Sequence, residues 1–276
     1  MPFIVSRAGA EGLTYEQTRR RSMTTPTRGV RNQPDEDTWK DQVRALALVL
    51  PAGAVFSHDT AAQLHKLPLP TLDGTPLDVT VASRSARGSR HAVRWHYSKL
   101  PLRTAHPGGL PATDLARTWL DLGSRLTLEW QVAVTDVVLQ RIPATELHIT
   151  GHRRGAATLA AALKLADSRS RSPRESLLRV NLLIEGAPAP VVNLDIVEQG
   201  VWLATGDLVW PEFRFIVEYD GADHAPLKQR HKDANTRADL SAAGWTVQPL
   251  TAIHFRHVQR TVTMILNRLR SKGWTG

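Results

Sequence analysis

The sequence predicts an α+β protein: a mostly helical front with a candidate winged helix-turn-helix head, then a rear that reads α-β-β-β-α-β around a mixed sheet. Three observations carry this. With 276 residues, 42% of them hydrophobic and 22% charged, the chain can bury a real core as one large or two modest domains. The polar run Asp167-Ser168-Arg169-Ser170-Arg171-Ser172-Pro173 separates two helical stretches, so a domain boundary is expected there, with a head over 1–33, a mixed α/β region over 34–167 and a rear domain over 168–276. Behind it, three strand-like runs precede a helix and one more strand, the order of a hairpin-linked trio with a crossover.

The head reads as two short helices around Gly12. The second opens with Thr14-x-x-Gln17, the form of a capping box, and ends in Arg19-Arg20-Arg21. A helix-turn-helix would set such a helix in a major groove, with Arg28, Gly29 and Val30 in a following wing; an ordinary basic surface helix is the alternative. A break over Thr24 to Pro34 separates the head from a helix at about Asp37 to Leu50. Helices are expected near 59–66, 113–122, 127–141 and 155–166, and strands at Leu77–Ala82 and Val93–Tyr97. Nothing here has the spacing of a catalytic motif, and His58, His65, His91, His96 and His106 read as structural or exposed.

In the rear, Ser172-Pro173-x-Glu175 starts a helix with an N-cap, a proline at the first position and a glutamate three residues past the cap; Gly186 ends it. Val191–Val197 alternates as a strand, Trp202–Val209 follows, and the aromatic and β-branched run Phe213–Tyr219 suits a buried central strand. Pro226 starts the next helix, Gly244 closes it, and Trp245–Leu250 is the last strand.

Composition narrows the function. Lys and Arg number 35 against 26 Asp and Glu, a net charge of +9, which favours a polyanionic partner. The front through Ser168 holds 21 basic and 15 acidic residues and the remainder 14 and 11, so the surplus is not one basic tail. The absence of cysteine excludes disulfides, zinc ribbons, iron–sulfur sites and cysteine nucleophiles, leaving oxygen and histidine as metal ligands. No period of 20 to 50 residues recurs, which removes solenoids and propellers. No window is apolar enough to span a bilayer, and Met1 to Ala10 is too short for a signal segment, so a soluble cytoplasmic protein with no membrane partner is expected.

The acids fall at strand ends. Asp207 lies in the second strand of the rear, Glu218 in the third, and Asp220 two residues beyond Glu218, hence on its face. A carboxylate inside Phe-Ile-Val-Glu-Tyr-Asp must be paired or bind a cation. Converging carboxylates suit Mg²⁺ or Mn²⁺; pairing with Arg179, Arg214 or Arg237 is the alternative. Glu175 is either a capping residue or part of this site. Arg230, Asp233 and Arg237 share a helical stripe, where Arg237 would reach a phosphate or pair with Asp233.

These blocks, Ser172-Pro-Arg-Glu175-Ser176-x-x-Arg179, Asp207-Leu-Val-Trp210-Pro211, Glu218-Tyr219-Asp220-Gly221-x-x-His224 and Asp233-x-x-x-Arg237-x-x-Leu240-x-x-x-Gly244-Trp245-x-Val247, resemble the very-short-patch-repair-like branch of the PD-(D/E)XK nucleases. The resemblance covers about Ser168 to His257 and implies a restriction-endonuclease-like fold. The front, through Thr60-Ala61-Ala62, Leu67-Pro-Leu-Pro, Arg117-Thr118-Trp119-Leu120-Asp121-Leu122 and the Gly29-Val30 wing, resembles the winged-helix region of AbiEi-type antitoxins. Carried over, the resemblance makes Asp207 the principal metal ligand, Glu218 the acid of the third strand, Glu175 the helix glutamate directed at the metal through water, and His224 the histidine just after the third strand. Asp220 departs from the superfamily, which has a lysine there that orients water or stabilises charge.

The expectation is a Mg²⁺- or Mn²⁺-dependent DNA endonuclease. His224 would take a proton from water, Arg19, Arg20, Arg21 and Arg28 would bind DNA, and Arg237 would touch a phosphate. The rivals are a non-catalytic DNA-binding regulator on a nuclease scaffold, and an RNA-acting or protein-binding antitoxin module.

Overall fold

The head is tied together by its two ends. In the computed structural model, which describes residues 2–20, 22–32, 38–70, 76–90, 92–99, 101–150, 153–219 and 227–276, Phe3–Ile4 (β1) pairs antiparallel with a later strand, Val30–Arg31 (β2). Between them lie a 3-10 turn, Val5–Glu11, and the helix Tyr15–Thr18 (α1), joined through Gly12 at φ 76°, a left-handed backbone that glycine adopts without strain. The Thr14/Gln17 capping box forms in both directions. The helix is one turn long and Arg19 is its C-cap, so Arg19 and Arg20 follow the helix instead of riding on it. This corrects the expectation of a helix ending in three arginines. The chain turns back to bridge Thr24 to Asn32, and a single turn has too few bonds to offset helix nucleation beyond it.

Next come Trp39–Ala47 (α2), opened by a reciprocal Thr38/Asp41 box, then Val55–Phe56 (β3), His58–Leu64 (α3), Leu77–Val81 (β4), Val93–Tyr97 (β5), Thr104–Ala105 (β6), Ala112–Thr113 (β7) and Leu115–Leu122 (α4). The strands form a sheet in the order β5-β4-β3-β7-β6, parallel at β4/β5 and β3/β7 and antiparallel elsewhere. Leu77, Val79 and Val81 pack with Phe56, Val43, Leu46 and Ala61. Strand alternation turns Asp78, Thr80, Arg94 and His96 to the other face.

The rear contains Leu128–Leu139 (α5), Ala156–Leu165 (α6), Pro173–Ile184 (α7), Val191–Glu198 (β8), Val201–Trp210 (β9), Phe215–Tyr219 (β10), Leu227–Ala242 (α8), Thr246–Leu250 (β11), Ala252–Arg256 (α9) and Val258–Ser271 (α10). From α7 to β11 the order is α-β-β-β-α-β. The sheet runs β11-β10-β9-β8, antiparallel except for β10/β11, so it is mixed and the molecule is α+β. On one face Leu178 and Leu182 of α7 and Ile265 and Leu266 of α10 cover Leu208, Trp210, Phe215 and Val217. On the other, Leu240 of α8 covers Ile196, Ala204, Val209 and Ile216.

The chain divides into one unit of Met1–Leu122 with Glu146–His148 and a second of Gly123–Thr145 with Ile149–Gly276. The Ser/Arg-rich run, read from the sequence as a boundary, lies inside the second unit. Its polar groups are tied to α5: Gln140 Nε2 donates to the carbonyls of Ser168 (3.0 Å) and Ser170 (2.6 Å), and the Asp167 amide donates to Asp136 Oδ1 (2.7 Å). α7 is anchored the same way. Arg179 Nη2 and Ser176 Oγ both donate to Asp136 Oδ2 at 2.7 Å, in a pair whose side chains are 5% and 1% exposed. Among the described residues no helix is long and apolar enough to cross a membrane.

Candidate functional site

α7 starts as its sequence dictates. Pro173 occupies the first position and Ser172 Oγ accepts from the Glu175 amide at 3.2 Å. The reciprocal half of the box does not form. Glu175 Oε2 instead accepts from the Arg171 amide (3.0 Å) and from Asn193 Nδ2 (2.9 Å) on β8, and the residue is buried. Glu175 thereby lines a small cavity with Asp207, Leu208, Val217 and Tyr219.

Asp207 stands where β9 and β10 part. Their last ladder pair is Leu208 with Val217, and just past it the Tyr219 amide donates to Asp207 Oδ2 at 2.7 Å, a carboxylate taking the place of a ladder carbonyl. Burial pushes the Asp207 carboxyl up to about 6; the negative charge of Glu175 adds to the rise and Arg171 works against it. On the other side, Asn193 occupies the β8 position opposite Asp207, with a left-handed φ of 49°. Its Nδ2 also donates to the Arg169 carbonyl (2.8 Å), while its buried Oδ1 has no partner among the described residues. Because Nδ2 meets two acceptors, the amide cannot be turned round without setting oxygen against oxygen. Arg174 stacks over the rings of Tyr219 (4.6 Å) and Phe255 (5.6 Å) at this end of the sheet.

The structure therefore brings Asp207 and Glu175 together. Glu218 lies on β10, half-buried; alternation gives it the face of Ile216, whereas the β10 walls of the cavity are Val217 and Tyr219, and Glu218 is not among them. Asp220 and His224 fall outside the described residues, as does Arg21. Two of the arginines weighed as partners for the acids are engaged elsewhere: Arg179 with Asp136, and Arg214 with Glu198 at 3.2 Å. Arg237 lies half-buried on α8. Arg19 donates to the Tyr15 hydroxyl at 2.9 Å and stacks on that ring, and Arg20 and Arg28 are exposed. Arg90 holds the Arg28 loop through Thr27 Oγ1 and the Arg28 carbonyl, both at 2.9 Å.

Sequence reasoning missed Asn193, whose role depends on a cross-strand neighbour and has no local signal. It also treated His58 and His96 as isolated, although their rings stack at 3.9 Å beside Asp78. The pattern Ser57-His58-x-Thr60 at a helix start was the available hint.

No family model matches this chain. It is similar to two proteins of Mycobacterium tuberculosis described as uncharacterized, MT2308 of strain CDC 1551 / Oshkosh and Rv2248 of strain ATCC 25618 / H37Rv. Each is 26% identical over 161 residues, covering 56% of this chain and 59% of the relative's length.

Proposed function

We propose that this protein is a metal-dependent DNA endonuclease. One observation carries the reading: two carboxylates, Asp207 and Glu175, share a desolvated cavity at the end of a mixed sheet, with Asp207 pushed up to about 6. Such a pair is unfavourable by itself and becomes favourable when a cation neutralises it. The α-β-β-β-α-β order and the β11-β10-β9-β8 sheet support a restriction-endonuclease-like core.

The donor set is all oxygen, which fits Mg²⁺ or Mn²⁺, and the buried Asn193 Oδ1 is a further oxygen beside Glu175. Asp207 and Glu175 would hold the ion; Glu218, the further ligand that the resemblance implies, lies outside their cavity. A bound divalent cation supplies charge neutralisation at phosphoryl oxygens and a more acidic water. The protein's own part is positioning. The Tyr219 amide orients the Asp207 carboxylate, and the Arg171 amide and Asn193 orient that of Glu175. Arg171 and Arg174, both exposed, provide cationic groups for the phosphodiester, and His224, on the resemblance, accepts the water's proton as its oxygen attacks phosphorus and the ester oxygen leaves. The exposed Arg19, Arg20 and Arg28 of the head belong to DNA binding, as a wing and basic loop.

The test is direct. Purified protein with Mg²⁺ or Mn²⁺ should nick or cut DNA, and Asp207→Ala and Glu175→Ala should remove cutting while keeping DNA affinity. A second reading, a DNA-binding regulator on this scaffold, is favoured by the place of Glu218 outside the cavity. A wild-type protein inert on duplex, mismatched and single-stranded DNA with either metal would establish it in place of the enzyme.

A further inference from the structure

In the first unit, well away in sequence from the acids above, the start of α3 is clipped onto β4. The Ser57 amide donates to the Asp78 carbonyl (3.0 Å), and the Asp78 amide donates to Thr60 Oγ1 (2.8 Å). Both main-chain groups of Asp78 are thus used by the residues flanking His58, which fixes His58 relative to the Asp78 side chain. His58 itself has φ 48°, a left-handed backbone uncommon outside glycine and tolerated where the surroundings enforce it. The stacking of His58 on His96 completes the cluster: His96 Nε2 is 2.7 Å from Asp78 Oδ1, and Asp78 is 0% exposed.

We propose that His58, Asp78 and His96 form a binding site for a divalent transition-metal cation of the zinc class. Each residue offers one ligand atom, and the three atoms lie within 4.8 Å of one another; among the described residues this is the group of three that meets that condition. Two imidazoles and one carboxylate, in a chain without cysteine, select for zinc and its neighbours over magnesium or calcium. Ser57 Oγ, 3.0 Å from His58 Nδ1, is the outer contact that fixes ring orientation in histidine metal sites. Thr80 gives an independent sign. It shares the face of Asp78 and is paired in register with His96, and its buried hydroxyl has no partner among the described residues.

The geometry needs little adjustment. Ligands at about 2.1 Å from zinc in a tetrahedral arrangement stand about 3.4 Å apart. His96 Nε2 and Asp78 Oδ1, now at 2.7 Å, would separate by about 0.7 Å. The His96 side chain is 23% exposed and can make that movement. Arg94, 3.5 Å from Asp78 Oδ1 and 40% exposed, would swing outward as the cation replaces its charge. Three protein ligands leave a fourth position for water.

This site is independent of the endonuclease reading, and its test separates the two. Full-length protein stripped with EDTA is titrated with Zn²⁺ against a chromophoric chelator, and with Co²⁺ while its visible d–d bands are recorded. The wild type should take one equivalent whose Co²⁺ band is lost in His58→Ala and in His96→Ala, is kept in Asp207→Ala, and is not displaced by excess Mg²⁺. Circular dichroism confirms that the variants fold, and the wild-type titration needs no variant. The proposal is overturned if the wild type binds no more Zn²⁺ than the His58→Ala/His96→Ala double variant, or if the Co²⁺ band survives both substitutions.

Discussion

Replacing Asp207 by asparagine should stabilise the protein at pH 8 while removing its activity. The carboxyl sits at about 6 in the fold instead of 3.8 because burial and Glu175 disfavour its charge. A pKa raised by folding is neutral on stability below pH 3.8, where the group is protonated in both states, and costs stability progressively up to about pH 6, above which the cost is complete. The full difference corresponds to about 3 kcal/mol at 1.36 kcal/mol per pH unit. Asp207 is only half-buried, so solvent screening reduces this to about 1–2 kcal/mol. Asparagine is close in shape and keeps an oxygen for the Tyr219 amide. Urea unfolding of the two proteins at pH 4 and pH 8, followed through the buried Trp210, measures the effect. The gain should appear at pH 8 and shrink towards pH 4, and saturating Mg²⁺ should stabilise the wild type alone. A variant that is less stable at pH 8, or a difference independent of pH, would refute a desolvated Asp207.

Asp136→Ala should cost about 3–5 kcal/mol, since it leaves the buried Arg179 charge uncompensated; the double variant Asp136→Leu/Arg179→Met should recover much of this in the same urea assay. Gly155→Ala should lower stability by about 2–4 kcal/mol, because the new methyl would fall 2.1 Å from the Gly123 carbonyl oxygen on a backbone at φ 84°. Replacing Arg19, Arg20 and Arg21 with alanine should lower the slope of log K against log salt for duplex DNA by about 2 to 3, measured by fluorescence anisotropy. An unchanged slope would move DNA contact to Arg171 and Arg174.

Most longer elements were legible in the sequence because their signals are local. The Thr14/Gln17 box, the Ser172-Pro173 start, the strand at Val93–Tyr97 and the α-β-β-β-α-β order depend on caps, alternation and turn residues within a few positions. The two-residue strands β3, β6 and β7 carry no period and exist only through their partners. α10 carries a local signal of the same kind, with Val262, Ile265, Leu266 and Leu269 at helical spacing on its buried face.

The residue types alone determined that an acid inside an apolar strand needs neutralising, and that any metal must bind oxygen or histidine. Which acids meet was a tertiary decision. Asp207 joins Glu175 because α7, anchored through Ser176 and Arg179 to Asp136, brings a residue 32 positions earlier over the sheet end, while strand alternation turns Glu218 to the opposite face. His58 and His96 likewise meet across 38 residues because α3 is clipped to β4 and β5 pairs beside it. Local signals in a chain specify the direction of each side chain along its own element; the distance between two such side chains is set by how elements pack, and that depends on contacts far apart in sequence.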